Sequence, residues 1–168
     1  MALSVMAIVA CSHGKPGANL TYVKIAKLQY SYQIDFESDL NVEALFAANH
    51  NQKVIQRRFM CALENDHDFA LTHTIKRTFD GTMDIGNAGQ GLPNGKFAYT
   101  STGDFIETAD GGSSYQDLDA KVVRTLLAAR VTVPCKLYMT VYMSNPYYSE
   151  TMFIPTVELL KAVPVDAD

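Results

Sequence analysis

The sequence predicts an α+β fold built mainly from antiparallel β-sheet, and three observations carry that reading. Stretches in which apolar and polar residues alternate recur along the chain. They come in pairs rather than in strict alternation with helices, which argues against a doubly wound parallel sheet. Helical spacing replaces the alternation in only two regions, about 40–63 and 115–130. With 168 residues the chain has the length of one domain, read here as 1–168, and no repeat, low-complexity tract or linker divides it. Its 48% hydrophobic and 19% charged residues suit a folded protein rather than a disordered one.

In chain order, Leu3 to Cys11 reads as a buried first strand. The run lacks a positively charged start, so a cleaved signal peptide is not expected. The turn cluster SHGKPGAN follows. TYVKIAKLQYSYQIDF, residues 21–36, contains no proline or glycine and reads as one long strand. Ala26, Leu28, Tyr30, Tyr32, Ile34 and Phe36 share one parity, whereas Val23 and Ile25 have the other, which predicts a bulge near Ile25 or Ala26. At ~3.3 Å per residue, positions 22–36 extend about 50 Å. A compact chain of this length is only about 40 Å across. Such a strand bends, or it reaches into neighbouring subunits as in shells and tubes.

Leu40, Ala44, Leu45 and Ala48 predict a short helix capped by Asp39, and Val54, Ile55, Phe59 and Leu63 predict a second stripe. A strand over 53–63 is the alternative. DFALTHTIKRTF, residues 68–79, returns to alternation, and the glycine-rich stretch 80–95 reads as a loop. KFAYTSTGDFIET, residues 96–108, reads as a hairpin turning at Thr102, Gly103 and Asp104. Ser114 and Asp117 have capping-box spacing before Leu118, Val122, Leu126 and Leu127. Two strands, CKLYMTVYMS and TMFIPTVELLK, close the chain around the loop NPYYSE.

The formal charge of -4 disfavours a general polyanion binder. Cys11, Cys61 and Cys135 form no C-x-x-C, and an odd count in a chain of this size speaks for a reducing compartment, cytoplasm or virion, with all three as small buried hydrophobes. Glu64, Asp66, His67, Asp68 and His73 are the densest titratable group but lack a metal-binding spacing, so no metal is expected. DIGNAGQGLPNGK lacks the P-loop pattern and no G-x-S-x-G occurs, so neither a cofactor nor a catalytic residue is assigned. No stretch approaches the roughly 20 apolar residues of a membrane span.

These observations point to a non-enzymatic structural subunit that assembles with copies of itself, a viral or phage coat or tube protein being its most concrete form. Tyr147 and Tyr148, in the last loop, are the candidate interface residues. The alternative is a single-stranded nucleic-acid-binding module that uses Lys53, Arg57 and Arg58 together with Thr72, Thr74 and Lys76. A third reading is a small enzyme whose site, for instance at His67 and His73, assembles only on folding.

Overall fold

A computed structural model describes residues 15–47, 53–84 and 89–165. The strand expected at Leu3 to Cys11 therefore lies outside the described residues. The elements are β1 (Leu20–Lys27), β2 (Tyr32–Ser38), α1 (Ala44–Ala47), β3 (Val54–Ala62), β4 (Arg77–Met83), β5 (Gln90–Gly91), β6 (Phe97–Ala109), β7 (Ser114–Asp117), α2 (Ala120–Ala128), β8 (Thr132–Val141), β9 (Tyr147–Tyr148), β10 (Met152–Pro155) and α3 (Thr156–Ala162). The main strands lie in the order β1-β2-β6-β4-β3-β8-β10, with the short β5 and β7 on β6 and β9 on β8. Every pairing is antiparallel, in agreement with the predicted α+β class. The sheet curls into a half-barrel that brings β1 back towards β10 and α3. The Glu150 N–H donates to the Ala18 carbonyl at 2.9 Å, tying the two margins together at one end.

Strand alternation sorts the side chains onto two faces. The inner face carries Ile34, Phe36, Phe59, Phe79, Tyr99, Phe105, Leu137, Met139 and Ile154, and Phe46, Val123, Leu127 and Leu159 of the three helices join them in one core. Phe36 stacks between Phe59 at 4.8 Å and Tyr99 at 5.7 Å, while Phe79 meets Phe105 edge-on at 5.5 Å. Each such ring contributes about 1.5–3 kcal/mol by burial. The Tyr99 hydroxyl, pushed up to about 12 chiefly by burial, accepts the Val42 N–H at 2.9 Å and so anchors the entry to α1.

Several predicted elements take a different form. Residues 21–36 are a hairpin, closed by the Leu28 N–H donating to the Ser31 carbonyl at 2.8 Å, with Tyr30 83% exposed at its tip. Alternation continues through so short a turn, so the run mimics one strand. The predicted bulge exists but lies earlier: the register shifts between Tyr22 and Lys24, which lets Tyr22 face Phe36 and Ile25 face Ile34.

Of the helix expected over 40–63, the described residues show the single turn Ala44–Ala47. Residues 54–62 take the strand alternative, because β3 is sandwiched between β4 and β8. The hairpin expected at 102–104 is instead the middle of β6, a continuous strand of 13 residues in which Gly103 lies opposite Gly81. Within 68–79 only the last residues are strand, since β4 begins at Arg77. In the 115–130 region β7 comes first, and Asp119 caps α2 by accepting the Lys121 N–H at 2.7 Å. In the last predicted strand, 151–161, pairing stops at Pro155 and α3 begins.

Cys61 and Cys135 are not separate thiols. They face each other across β3 and β8 and are joined by a disulfide with an S–S distance of 2.10 Å. Counting an odd number of cysteines concealed this pair, because only the register places its members side by side.

Candidate functional site

The outer face of the sheet is polar where the inner face is aromatic. Arg58 and Met60 of β3 lie in register with Thr82 and Asp80 of β4, and Gln56, Arg58 and Met60 with Thr140, Tyr138 and Lys136 of β8. Asp80 in turn lies opposite Asp104 of β6, and Thr78 opposite Ile106. Residues 66–75 cross over this face and enclose a cleft of about 480 Å³ whose far side is completed by Tyr115. A second hollow of about 320 Å³ shares Arg58, Asp80, Ile106 and Tyr115 with it and extends to Thr102, Asp104 and Asp117.

The covering segment is held by local bonds and by two distant anchors. Asp66 and Asp68 accept the N–H groups two residues ahead, at 3.2 and 3.0 Å, which fixes consecutive turns. The Leu71 N–H donates to the Tyr148 hydroxyl at 3.1 Å, and the Thr74 hydroxyl donates to the Gly111 carbonyl at 3.3 Å. His73 Nε2 lies 2.6 Å from Asp66 Oδ2.

That last contact makes the segment sensitive to pH. The hydrogen bond to Asp66 raises the His73 pKa above its usual value, and the same bond lowers that of Asp66. The tie is complete where both groups are charged, from about pH 4 to about pH 6.5 by their ordinary values. It fades as pH rises through the raised pKa of His73, and also as pH falls through the lowered pKa of Asp66. Amide hydrogen exchange in 66–75, corrected for intrinsic rates, is expected to be slower at about pH 5.5 than at about pH 8.5. His73→Ala is expected to abolish the difference; equal protection at both values in the native chain would contradict the anchor.

On the floor, Arg58 Nε donates to Asp80 Oδ1 at 2.8 Å and the second arm of the guanidinium pairs with Oδ2. Tyr138 is buried beside it; burial raises its pKa and Arg58 acts in the opposite direction. The Asp104 carboxyl is pushed up, first by burial and then by the like charge of Asp117, with Lys27 opposing. Asp80 and Asp104 thus differ: one carboxylate is neutralised by a guanidinium, the other faces a second carboxylate.

Neighbouring residues on a strand point to opposite faces, and this disperses the predicted basic cluster. Arg57 turns to α1 and meets Glu43 in a forked pair at 2.6 and 2.8 Å, whereas Arg58 turns to the cleft. Lys53 is exposed just before β3, Lys76 pairs with Glu107 at 3.1 Å, and Thr72 is exposed on the covering segment. Of the six, Arg58 and Thr74 line the cleft.

Tyr147 is buried, with its ring edge-on to Phe46 at 5.7 Å and its hydroxyl accepting the Ala18 N–H at 2.9 Å. Tyr148 is half-buried beneath Leu71. His67 is exposed, and among the described residues no group of three or more His, Cys, Asp or Glu is arranged to hold a metal ion. No helix among the described residues is long and apolar enough to cross a membrane.

Sequence reasoning missed Asp80, Asp104, Asp117, Tyr115 and Tyr138. Reading Thr102 to Asp104 as a turn removed Asp104 from any strand face and hid its pairing with Asp80. Comparison of the chain with protein-family models, curated proteins and solved structures returns no match. Fold and site together define a curled antiparallel sheet with its helices on the inner side and a polar cleft on the outer.

Proposed function

We propose that the chain is a non-enzymatic subunit that assembles head to tail with copies of itself, a viral or phage coat or tube protein being the most concrete form. The supporting observation is a pair of exposed apolar corners at opposite ends of β8. At the start of β8, Val131 is 84% exposed, and its carbonyl accepts the Thr156 N–H, which places Phe153 and Val157, 59% and 60% exposed, at the same corner. At the far end, Tyr142 and Met143 are 57% and 89% exposed, and the Tyr142 N–H donates to the Lys53 carbonyl, bringing Ile55 alongside. Ten strand residues separate the corners, about 33 Å.

Exposed apolar patches favour association. Two different patches set far apart favour a heterologous contact, which closes into rings or propagates as a filament. The nucleic-acid reading has no comparable support, because Arg57, Arg58 and Lys76 are already paired with carboxylates.

The experiment is light scattering coupled to size exclusion on the native chain and on Phe153→Glu and Met143→Glu. The native chain is expected to form species that grow with concentration, and each variant to stay monomeric. An equimolar mixture of the two variants retains one intact contact and is expected to give dimers. A native chain that stays monomeric at its highest soluble concentration would overturn the proposal.

A further inference from the structure

The two hollows on the outer face are parts of one groove. They share Gln56, Arg58, Asp80, Ile106 and Tyr115; the hollow of about 480 Å³ continues beneath the covering segment, and that of about 320 Å³ continues towards Thr102 and Asp117. A ligand seated on the shared residues can therefore extend into both. That geometry suits a chain of several units better than a single compact molecule.

The shared residues offer polarity without net charge. Arg58 gives two arms of its guanidinium to Asp80 and is also bonded to the Tyr138 hydroxyl, which leaves further N–H donors of Arg58 beside unused lone pairs of Asp80. The exposed amide of Gln56 adds one more donor and acceptor. A sugar hydroxyl both donates and accepts, so neighbouring hydroxyls match such mixed sites. Tyr115, 76% exposed, supplies the other half of the recognition, because the C–H face of a sugar ring rests against the negative face of an aromatic ring.

Other linear ligands fit less well. The positive groups lining the groove, Arg58 and His73, are each paired with a carboxylate, so a polyanion finds no free cation. The floor strands β3, β4 and β6 are each paired on both sides and present no edge to which a peptide could add as a strand. Asp104 and Asp117 at one end further disfavour acidic units.

We propose that this groove binds a neutral oligosaccharide, with one sugar ring on Tyr115, its hydroxyls bonded to Gln56, Arg58 and Asp80, and its neighbours in the two hollows. The probes are maltotriose, cellotriose and N,N′,N″-triacetylchitotriose, each beside its own monosaccharide, with trigalacturonate as the acidic counterpart.

Calorimetric titration of the full chain is expected to show saturable binding of at least one neutral trisaccharide, with its monosaccharide and trigalacturonate each weaker by about tenfold or more. Tyr115→Ala and Gln56→Ala, both at exposed positions, are expected to weaken that trisaccharide about tenfold, and thermal melts check that each variant is folded. Tyr30→Ala removes a ring that is 83% exposed but lines neither hollow, and is expected to leave the affinity unchanged. The proposal is overturned if none of the three neutral trisaccharides saturates, if trigalacturonate binds as tightly as they do, if the monosaccharide equals its trisaccharide, or if folded Tyr115→Ala and Gln56→Ala both keep the native affinity. None of these outcomes depends on the apolar corners of β8, so the assembly reading stands or falls separately.

Discussion

Gly103→Ala is expected to lower the stability of the folded chain by about 3 kcal/mol or more, at the upper end of the cost of overpacking. Gly103 lies in the middle of β6 and opposite Gly81, where a Cβ would collide with the Asp80 carbonyl and the Gly81 Cα. Both obstacles are backbone atoms inside a ladder, so they cannot rotate away as a side chain does. The collision forces β4 and β6 apart in the centre of the sheet and disturbs the packing of Phe79 on Phe105. Gly91→Ala is the control. A Cβ there meets nothing within 4 Å, so the change is expected to stay within about 0.5 kcal/mol. Urea unfolding midpoints separate the two. A Gly103→Ala midpoint equal to the native one would mean that 102–104 is the turn its composition suggests.

Loss of the Cys61–Cys135 bond is the second large effect. The bond spans a sequence separation of 74, for which chain-entropy arguments give about 4 kcal/mol of stabilisation relative to the reduced chain. Urea unfolding with and without reductant is expected to show this difference, and Cys61→Ala/Cys135→Ala is expected to match the reduced protein. With three cysteines in the chain and two of them joined, unfolding without reductant should release one thiol, and three after reduction. Three reactive thiols before reduction would sink the prediction. Such bonds persist under oxidising conditions, so a chain kept reduced would work with this much less stability.

Pairs of residues explain why some of the structure was legible in the sequence and some was not. The alternation at Tyr32, Ile34 and Phe36 reports a one-sided strand, and β2 buries these three residues on one face. The parity change near Ile25 reports a bulge, and one lies within two residues of the predicted place. Leu118, Val122, Leu126 and Leu127 report an amphipathic helix, and α2 buries Leu127 together with Val123. In each case the signal is local, because the spacing of apolar residues is itself the physical cause of the face they form.

The site was not legible in this way. Whether a glycine turns the chain or lets two strands approach closely depends on what lies across from it, and for Gly103 that is Gly81, 22 positions earlier. Lys53, Arg57 and Arg58 are close in sequence, yet Arg57 turns to Glu43 and Arg58 to Asp80. Asp80, Asp104 and Asp117 are distant in sequence and meet only because β6 pairs with both β4 and β7. The sequence alone thus determined the class of fold, the separation of apolar from polar faces and the amphipathic helix, all properties of local spacing. The cleft, the disulfide, the pairing of each charge and the continuity of β6 were decided by tertiary structure, because each is a relation between strands whose register no local pattern encodes.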